Sequence, residues 1–202
     1  KPEIVAVPAA NKDVNYCEAH PEETRQVNVA GTLNVARACA NAGTRMIFFS
    51  SDYVFDGTKG SYTENDSISP LNEYGRQKAE VEAGILESSS RHLILRITGA
   101  YGWQWDPKNF VLHVLGRLRS GAPIKGAVDL KSNPTYVENL AEITVELAAL
   151  GQSGIFLVVG GDCLPRYDFS TLVANVFGLD ESLIKPVSIK EINSTTPRPK
   201  ES

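Results

Sequence analysis

The sequence is poor in cysteine and has no motif in which cysteine and histidine come together. Its three cysteines, Cys17, Cys39 and Cys163, are odd in number and widely spaced, without a Cys-x-x-Cys pair or a histidine at ligand spacing. A disulfide framework or a zinc site requires such pairing. We therefore interpret all three as reduced, mostly buried thiols and expect no metal site.

The sequence also lacks long apolar runs and an excess of one charge. Its longest apolar stretches, at 47–50 and 155–161, are far shorter than the roughly 20 residues that span a bilayer. Basic and acidic residues are interleaved and the formal net charge is -4, so there is no basic stripe for nucleic acid or a membrane surface. The N-terminus does not resemble a signal peptide. These absences predict a cytoplasmic protein that binds neither nucleic acid nor membranes.

The composition is otherwise that of a globular protein, with 42% apolar residues in a chain of 202. Short apolar runs alternate with longer amphipathic stretches, which is typical of βαβ units around a parallel sheet. We predict strands at 4–7, 45–49, 92–97 and 154–159, and helices at 21–41, 74–86, 110–118, 137–150 and 169–177. The predicted fold class is therefore α/β, a Rossmann-like doubly wound parallel sheet, with a less regular excursion between Gly99 and Ser132.

A further absence concerns the phosphate-binding turn. A dinucleotide-binding fold opens with a strand, a glycine-rich turn and a helix whose N-terminus binds the pyrophosphate. Neither Gly57-x-x-Gly60 nor Gly160-Gly161 has this context. Either the chain binds no dinucleotide, or the sequence begins partway through a domain. The remaining motifs favour the second explanation.

The most informative motif is Tyr74-x-x-x-Lys78. Residues four apart lie on one face of a helix, so the predicted helix presents a phenol and an ammonium group together. The cation is expected to lower the pKa of Tyr74, which then donates a proton to a carbonyl oxygen. Ser51 follows the strand at 45–49, at the edge where ligands bind in open α/β sheets. Its hydroxyl is expected to bind the same oxygen.

These residues belong to longer strings that resemble a known family. Ser-Ser-Asp-Tyr-Val-Phe-Asp-Gly at 50–57 and Pro-Leu-Asn-Glu-Tyr-Gly-Arg-Gln-Lys at 70–78 resemble the extended short-chain dehydrogenase/reductase family. The first string is most similar to the dTDP-4-dehydrorhamnose reductases and to the regulatory β subunit of methionine adenosyltransferase. The resemblance extends over most of the chain and implies that roughly the first three βα units of the family's domain are absent.

The resemblance also implies roles for single residues. The implied catalytic residues are Ser51, Tyr74 and Lys78; the implied cofactor-binding residues are Ala9, Ala10, Asn28, Thr98, Tyr74 and Lys78; the implied substrate-binding residues are Asp52, Tyr53 and Asn109. The implied cofactor is NADP or NAD, and the residues that choose between them would lie in the absent part. Segments 1–104 and 136–162 would form a partial cofactor-binding core, and 105–135 and 163–202 a substrate-binding lobe.

The implied function is NAD(P)H-dependent reduction of the keto group of a nucleotide-linked deoxysugar, as in dTDP-rhamnose biosynthesis, by a homodimer. Two alternatives stay open: a regulatory subunit that acts by contacting a partner enzyme, and a sugar-nucleotide epimerase or dehydratase. One departure concerns the substrate, because Gly99 stands where rhamnose-forming reductases have a tryptophan. Trp103 or Trp105 would replace it only from a different position.

Two further residues invite a structural expectation. Asn28 is a poor helix former in the middle of a predicted helix, which favours a functional or helix-distorting role. Arg96 lies in a predicted buried strand and therefore requires a partner.

Overall fold

The computed structural model describes residues 1–104, 108–192 and 196–201. Its centre is a four-stranded sheet in the order β1-β2-β3-β8, in which all neighbours are parallel. The strands are β1 (Ile4–Val7), β2 (Arg45–Ser51), β3 (Leu93–Ile97) and β8 (Gly154–Leu157). The parallel sheet confirms the predicted α/β fold class.

Helices lie on both faces of the sheet and in an apolar cluster outside it. They are α1 (Val14–Ala19), α2 (Pro21–Arg25), α3 (Thr32–Ala42), α4 (Glu73–Ser88), α5 (Phe110–Arg119), α6 (Val137–Ala149) and α7 (Arg166–Val176). The shorter strands are β4 (Ala100–Tyr101), β5 (Ile124–Ala127), β6 (Lys131–Ser132), β7 (Thr135–Tyr136), β9 (Leu164–Pro165) and β10 (Ile184–Val187). Among the described residues, no helix is long and apolar enough to cross a membrane.

The sheet has an apolar core on each face because β2 and β3 are apolar at consecutive positions. Met46 and Phe48 point towards α3 and α4, where they pack with Val81 and Ile85. On the opposite face, a second core is built around α6; its buried members are Ile47, Leu93, Leu95, Leu140 and Val158. These cores fix the strand ends that carry the candidate site.

A third apolar cluster lies outside the sheet. It joins α5 and α7 with β5 and β10, which pair in parallel. Its members fall within the two segments assigned to the substrate-binding lobe. The exact domain bounds stay a prediction.

The structure modifies several predicted elements. The predicted helix at 21–41 is helical, but a π-helical segment at Gln26–Gly31 separates α2 from α3 and contains Asn28, in agreement with the expected helix distortion. Helix α7 begins three residues earlier than predicted, at Arg166, and α1 and the strands β5 and β10 were not predicted. Segments this short carry too little periodicity to be recognised.

The buried Arg96 has the partner that its position requires. Its Nη2 atom lies 2.8 Å from Glu82 Oε2 and its Nε atom 3.1 Å from Oε1, and both side chains are almost fully buried. The guanidinium also lies over the Phe55 ring, 5.0 Å from its centroid. Arg96 therefore fixes α4 on β3 rather than facing a ligand.

Candidate active site

The site begins where β2 ends. Ser51 is the last residue of the strand, and its hydroxyl accepts a hydrogen bond from the Tyr53 backbone N–H at 3.2 Å. The same hydroxyl donates to Asp52 Oδ1 at 2.9 Å. Because parallel strands present their carboxyl ends at one edge of the sheet, this turn lies where ligands are expected.

Helix α4 brings Tyr74 and Lys78 to this turn. The helix starts at Glu73, directly after Asn72, whose side chain accepts a hydrogen bond from Gly75 N at 2.9 Å and so caps the first turn. Gly75 allows close packing, since a Cβ atom there would lie 2.2 Å from the Tyr53 carbonyl oxygen. The Tyr74 ring meets the Tyr53 ring edge-on, with centroids 5.8 Å apart.

Lys78 is buried below the phenol. Its Nζ atom donates to the Phe49 carbonyl at 2.7 Å and lies 4.5 Å from the Phe48 ring centroid and 5.7 Å from that of Tyr74. Burial lowers the pKa of Lys78 to about 8, although the carboxylate of Glu82 opposes this shift. The ammonium group is thus held in place and is close to losing its proton at neutral pH.

The surroundings of Tyr74 oppose its ionisation. Burial is the largest cause that raises the pKa of Tyr74, and the nearby Asp52 raises it further, whereas a hydrogen bond with Ser51 lowers it. The net direction is the reverse of that expected from Lys78 alone. The phenol is therefore protonated, which is the form needed in a proton donor.

Asp52 connects the predicted catalytic and cofactor-binding residues. Its carboxylate accepts from Ser51 through Oδ1 and from Thr98 Oγ1 through Oδ2, the latter at 2.8 Å. Asp52 is only 4% exposed and Thr98 only 5%. In this arrangement, Asp52 orients two hydroxyl groups, and its contact with substrate stays a prediction.

Two arginines approach the other side of Tyr53. Arg198 Nη1 donates to the Tyr53 hydroxyl at 3.2 Å, and Arg198 Nη2 donates to Asn15 Oδ1 at 3.3 Å. The Arg166 guanidinium lies 4.8 Å from the Phe110 ring centroid. Burial lowers the pKa of Arg166 and the charge of Arg198 lowers it further, whereas Tyr53 and Asp52 oppose this shift. Two guanidinium groups near one another favour an anionic ligand.

The loop after β1 lies near the same helix. Ala9 is exposed and Ala10 half-buried, while the backbone of the next residue, Asn11, is bound by the side chain of Asn28. Asn28 is therefore buried behind the loop, and its contact with a cofactor stays a prediction. It belongs to the site through its contacts with this backbone.

Other predicted site residues make contacts within the protein, and their contacts with substrate stay predictions. Asn109 caps α5 by accepting from Leu112 N at 3.1 Å, and its Nδ2 donates to the Gly102 carbonyl at 2.7 Å, so both ends of its carboxamide are used within the protein. Trp103 is 67% exposed and packs edge-on against Phe177 of the lobe. Trp105 lies outside the described residues.

The glycines considered for a phosphate turn are explained by close packing instead. A Cβ atom on Gly57 would lie 2.5 Å from Lys200 N, and one on Gly160 would lie 2.1 Å from the Pro134 carbonyl oxygen. Neither glycine precedes a helix directly. Within the described ranges, the sequence-based conclusion that these glycines form no pyrophosphate turn agrees with the structure.

Arg166 was not predicted as a site residue, because the predicted helix began at Phe169, beyond it. A signal was available, since Pro165 precedes Arg166 and proline is frequent near the start of a helix. Arg198 was assigned to the lobe only by resemblance.

Comparison with known proteins places this geometry in a family. The sequence matches the RmlD substrate binding domain over residues 1–202. The chain belongs to this family. It is 33% identical over 198 residues to the probable low-salt glycan biosynthesis reductase of Haloferax volcanii, an alignment that covers 96% of this chain and 66% of the relative. It is 30% identical to rat methionine adenosyltransferase 2 subunit beta, with 93% and 58% covered.

Solved structures show the same fold. A dTDP-4-dehydrorhamnose reductase from Bacillus anthracis, in complex with NADP, superposes with a TM-score of 0.94 at 26% identity; the match covers 99% of this chain and 70% of that one. The chain spans less than two thirds of the length of each of the two curated relatives named above.

Proposed function

We propose that this RmlD-family chain is the proton-transfer and substrate-binding part of an NAD(P)H-dependent oxidoreductase of the short-chain dehydrogenase/reductase type. Its reaction would be reduction of the keto group of a nucleotide-linked deoxysugar, as in dTDP-4-dehydrorhamnose reductase. The observation that carries the proposal is the meeting of Ser51, Tyr74 and Lys78 at the carboxyl end of β2. The NADP bound by the Bacillus anthracis reductase supports the cofactor class.

The residues present fit one end of a dinucleotide. A buried ammonium group that is fixed by the Phe49 carbonyl and lies 5.7 Å from the centroid of the Tyr74 ring suits the ribose and nicotinamide. When bound, NAD(P)H supplies the hydride. The pyrophosphate would need donors beyond the glycines described above. NADP and NAD are therefore proposed without a preference.

The chain's own residues would act on the keto oxygen. Tyr74 would donate its proton to that oxygen as the carbonyl carbon is reduced, and its raised pKa keeps the proton available. The hydroxyl of Ser51 would turn from Asp52 to donate to the same oxygen. Lys78 would stabilise the phenolate that results. Arg166 and Arg198 would bind the diphosphate of the sugar nucleotide, and Tyr53 would contact the sugar.

Replacement of Tyr74 tests the reaction. In the full-length protein, Tyr74→Phe is expected to lower the turnover of a dTDP-4-keto-deoxysugar by about 10²- to 10⁴-fold and to leave the NADPH affinity unchanged. The measurements are NADPH oxidation and cofactor titration. Tyr62→Phe is the control, because it also removes a phenolic hydroxyl, which donates to Asp56 at 2.6 Å and accepts from Thr58 N and Lys59 N, but it does so in the loop before α4. Near-normal turnover in Tyr74→Phe would contradict the mechanism.

A second candidate is a regulatory subunit, which the similarity to methionine adenosyltransferase 2 subunit beta favours. A protein of this kind would bind the dinucleotide but transfer no hydride. Co-purification with a methionine adenosyltransferase, together with no oxidation of NADPH by any keto sugar nucleotide, would favour this candidate over the reductase. A homodimer also stays a proposal, and size measurements in solution would test it.

A further inference from the structure

Helix α4 carries a buried carboxamide between its two candidate catalytic residues. Gln77 is 0% exposed, and a buried carboxamide requires partners for its N–H groups and its oxygen. Its Nε2 donates to Thr24 Oγ1 at 2.9 Å and to Glu73 Oε1 at 3.2 Å, and its Oε1 accepts from Asn28 Nδ2 at 2.8 Å. The mechanism proposed above does not use Gln77.

Asn28 extends this network to the loop after β1. Its Oδ1 accepts from Asn11 N at 2.7 Å, and its Nδ2 donates to Asn11 O at 3.0 Å as well as to Gln77. Asn28 lies in the π-helical segment, and such insertions are frequent at functional sites. A continuous chain of hydrogen bonds therefore joins the loop that contains Ala9 and Ala10 to helix α4.

The two carboxamides have only one orientation that satisfies their partners. The Thr24 hydroxyl donates to the His20 carbonyl at 3.0 Å, so it is an acceptor towards Gln77. The Glu73 carboxylate only accepts, so the Gln77 NH₂ group must face both. The Gln77 oxygen then faces Asn28, whose own oxygen is required by the Asn11 N–H. The network depends on carboxamide chemistry, since a carboxylate at position 77 would have no donors.

We propose that Gln77 is a positioning residue that fixes the loop after β1 relative to Tyr74 and Lys78. The inference rests on the proposed function, in which this loop contacts the hydride donor and Tyr74 supplies the proton. Both must reach one carbonyl group, and a displacement of about 1 Å can lower a rate about 100-fold. Gln77 would thus set the alignment of the two transfers without touching the reacting atoms.

The test compares two variants of similar volume, Gln77→Met and Gln77→Glu, with Thr144→Val. Thr144→Val also removes one buried hydrogen bond, which Thr144 donates to the Leu140 carbonyl at 2.6 Å, but Thr144 lies on α6 outside the network. The readouts are hydrogen exchange of the Asn11 amide without cofactor, the Kd for NADPH, and kcat. Both Gln77 variants are expected to exchange the Asn11 amide about tenfold faster, to bind NADPH more weakly and to lose about 100-fold in kcat. Thr144→Val should change none of these.

Asn11 exchange and NADPH affinity that are equal in Gln77→Met and Thr144→Val would overturn the proposal. If Gln77→Met and Gln77→Glu do not fold, two other variants should also accelerate Asn11 exchange. They are Gln77→Asn, whose amide is one methylene too short to reach both sides, and Thr24→Val, which removes one acceptor. Unchanged exchange in both would also overturn it. A wild-type protein that reduces no sugar nucleotide would contradict the proposed function alone, because the exchange comparison needs no substrate.

Discussion

Lys78 is the residue whose charge depends most directly on its position in the fold. Its side chain is only 5% exposed, and among the described residues its ammonium group donates to the Phe49 carbonyl. Burial therefore lowers its pKa from the usual 10.5 to about 8. Between these two values the unfolded chain keeps the proton and the folded chain releases it. The free energy of unfolding should then rise with pH in this window.

A pH series of unfolding measurements on the wild type and Lys78→Met tests this shift. From pH 7 to about pH 9.5, the wild type should gain about 2 kcal/mol relative to the variant, since one pKa unit corresponds to about 1.36 kcal/mol. The window ends below the range in which Tyr74 matters; its raised pKa contributes stability that is lost above about pH 10. Parallel curves for the two proteins would show that Lys78 titrates normally.

At this scale, the positions of the candidate residues were more predictable from the sequence than their protonation states. The spacing of Tyr74 and Lys78 and the position of Ser51 were sufficient to predict their meeting. The direction of the Tyr74 pKa was not predictable, because it depends on burial and on Asp52, whose orientation towards Ser51 and Thr98 only the folded chain defines.

Helix α4 is the element that assembles the site, and its position depends on one close contact. At Gly75 the helix touches the backbone of Tyr53, with 2.2 Å between the position of an added Cβ atom and the carbonyl oxygen. A backbone atom cannot move aside as a flexible side chain can. Any larger residue must therefore displace either the helix or the turn that carries Ser51.

Gly75→Ala and Gly116→Ala form a matched pair of helix substitutions. Gly116 lies inside α5 with open space around it, so alanine there should stabilise the protein by about 1 kcal/mol through helix propensity. The same change at Gly75 should destabilise by about 1–3 kcal/mol, the usual cost of overpacking, and lower kcat. Denaturant unfolding and turnover of both variants test the contrast. Equal stabilisation by both would show that the contact with Tyr53 is not tight.

The long elements and the strands of the central sheet were predicted well, whereas α1 and the strands β5 and β10 were missed. Helix α4 and the strands β2 and β3 have strong apolar patterns and were predicted to within two residues. Helix α1 is six residues long and depends on the Asp13 cap, and β5 and β10 become strands only by pairing with each other. Such tertiary pairing leaves no periodic signal in either segment alone.

In the whole molecule, the segment 196–201 connects the sheet domain with the outer cluster. Lys200 O accepts from Lys131 N at 2.8 Å, and Pro197 O accepts from Asn72 Nδ2 at 2.9 Å, so the segment binds both β6 and the N-cap of α4. It also passes over Gly57, whose φ of +73° and missing side chain leave room for it. Arg198 is delivered to Tyr53 by these backbone contacts.

Because backbone contacts of the segment 196–201 place Arg198, a substitution of its side chain can test substrate binding without removing these contacts. Arg198→Ala should raise the KM for the sugar nucleotide about 10- to 100-fold, the loss expected for a hydrogen bond to a charged group, and leave NADPH affinity unchanged. Lys200→Ala is the control. It removes one positive charge from an exposed side chain two residues after Arg198 and keeps the backbone contacts of the segment. Steady-state kinetics at several salt concentrations distinguish the two effects. A general loss of charge would affect both variants equally and weaken as salt rises, whereas a direct contact with the diphosphate would affect Arg198→Ala far more at every concentration. Equal KM values for the two variants would remove Arg198 from the substrate site.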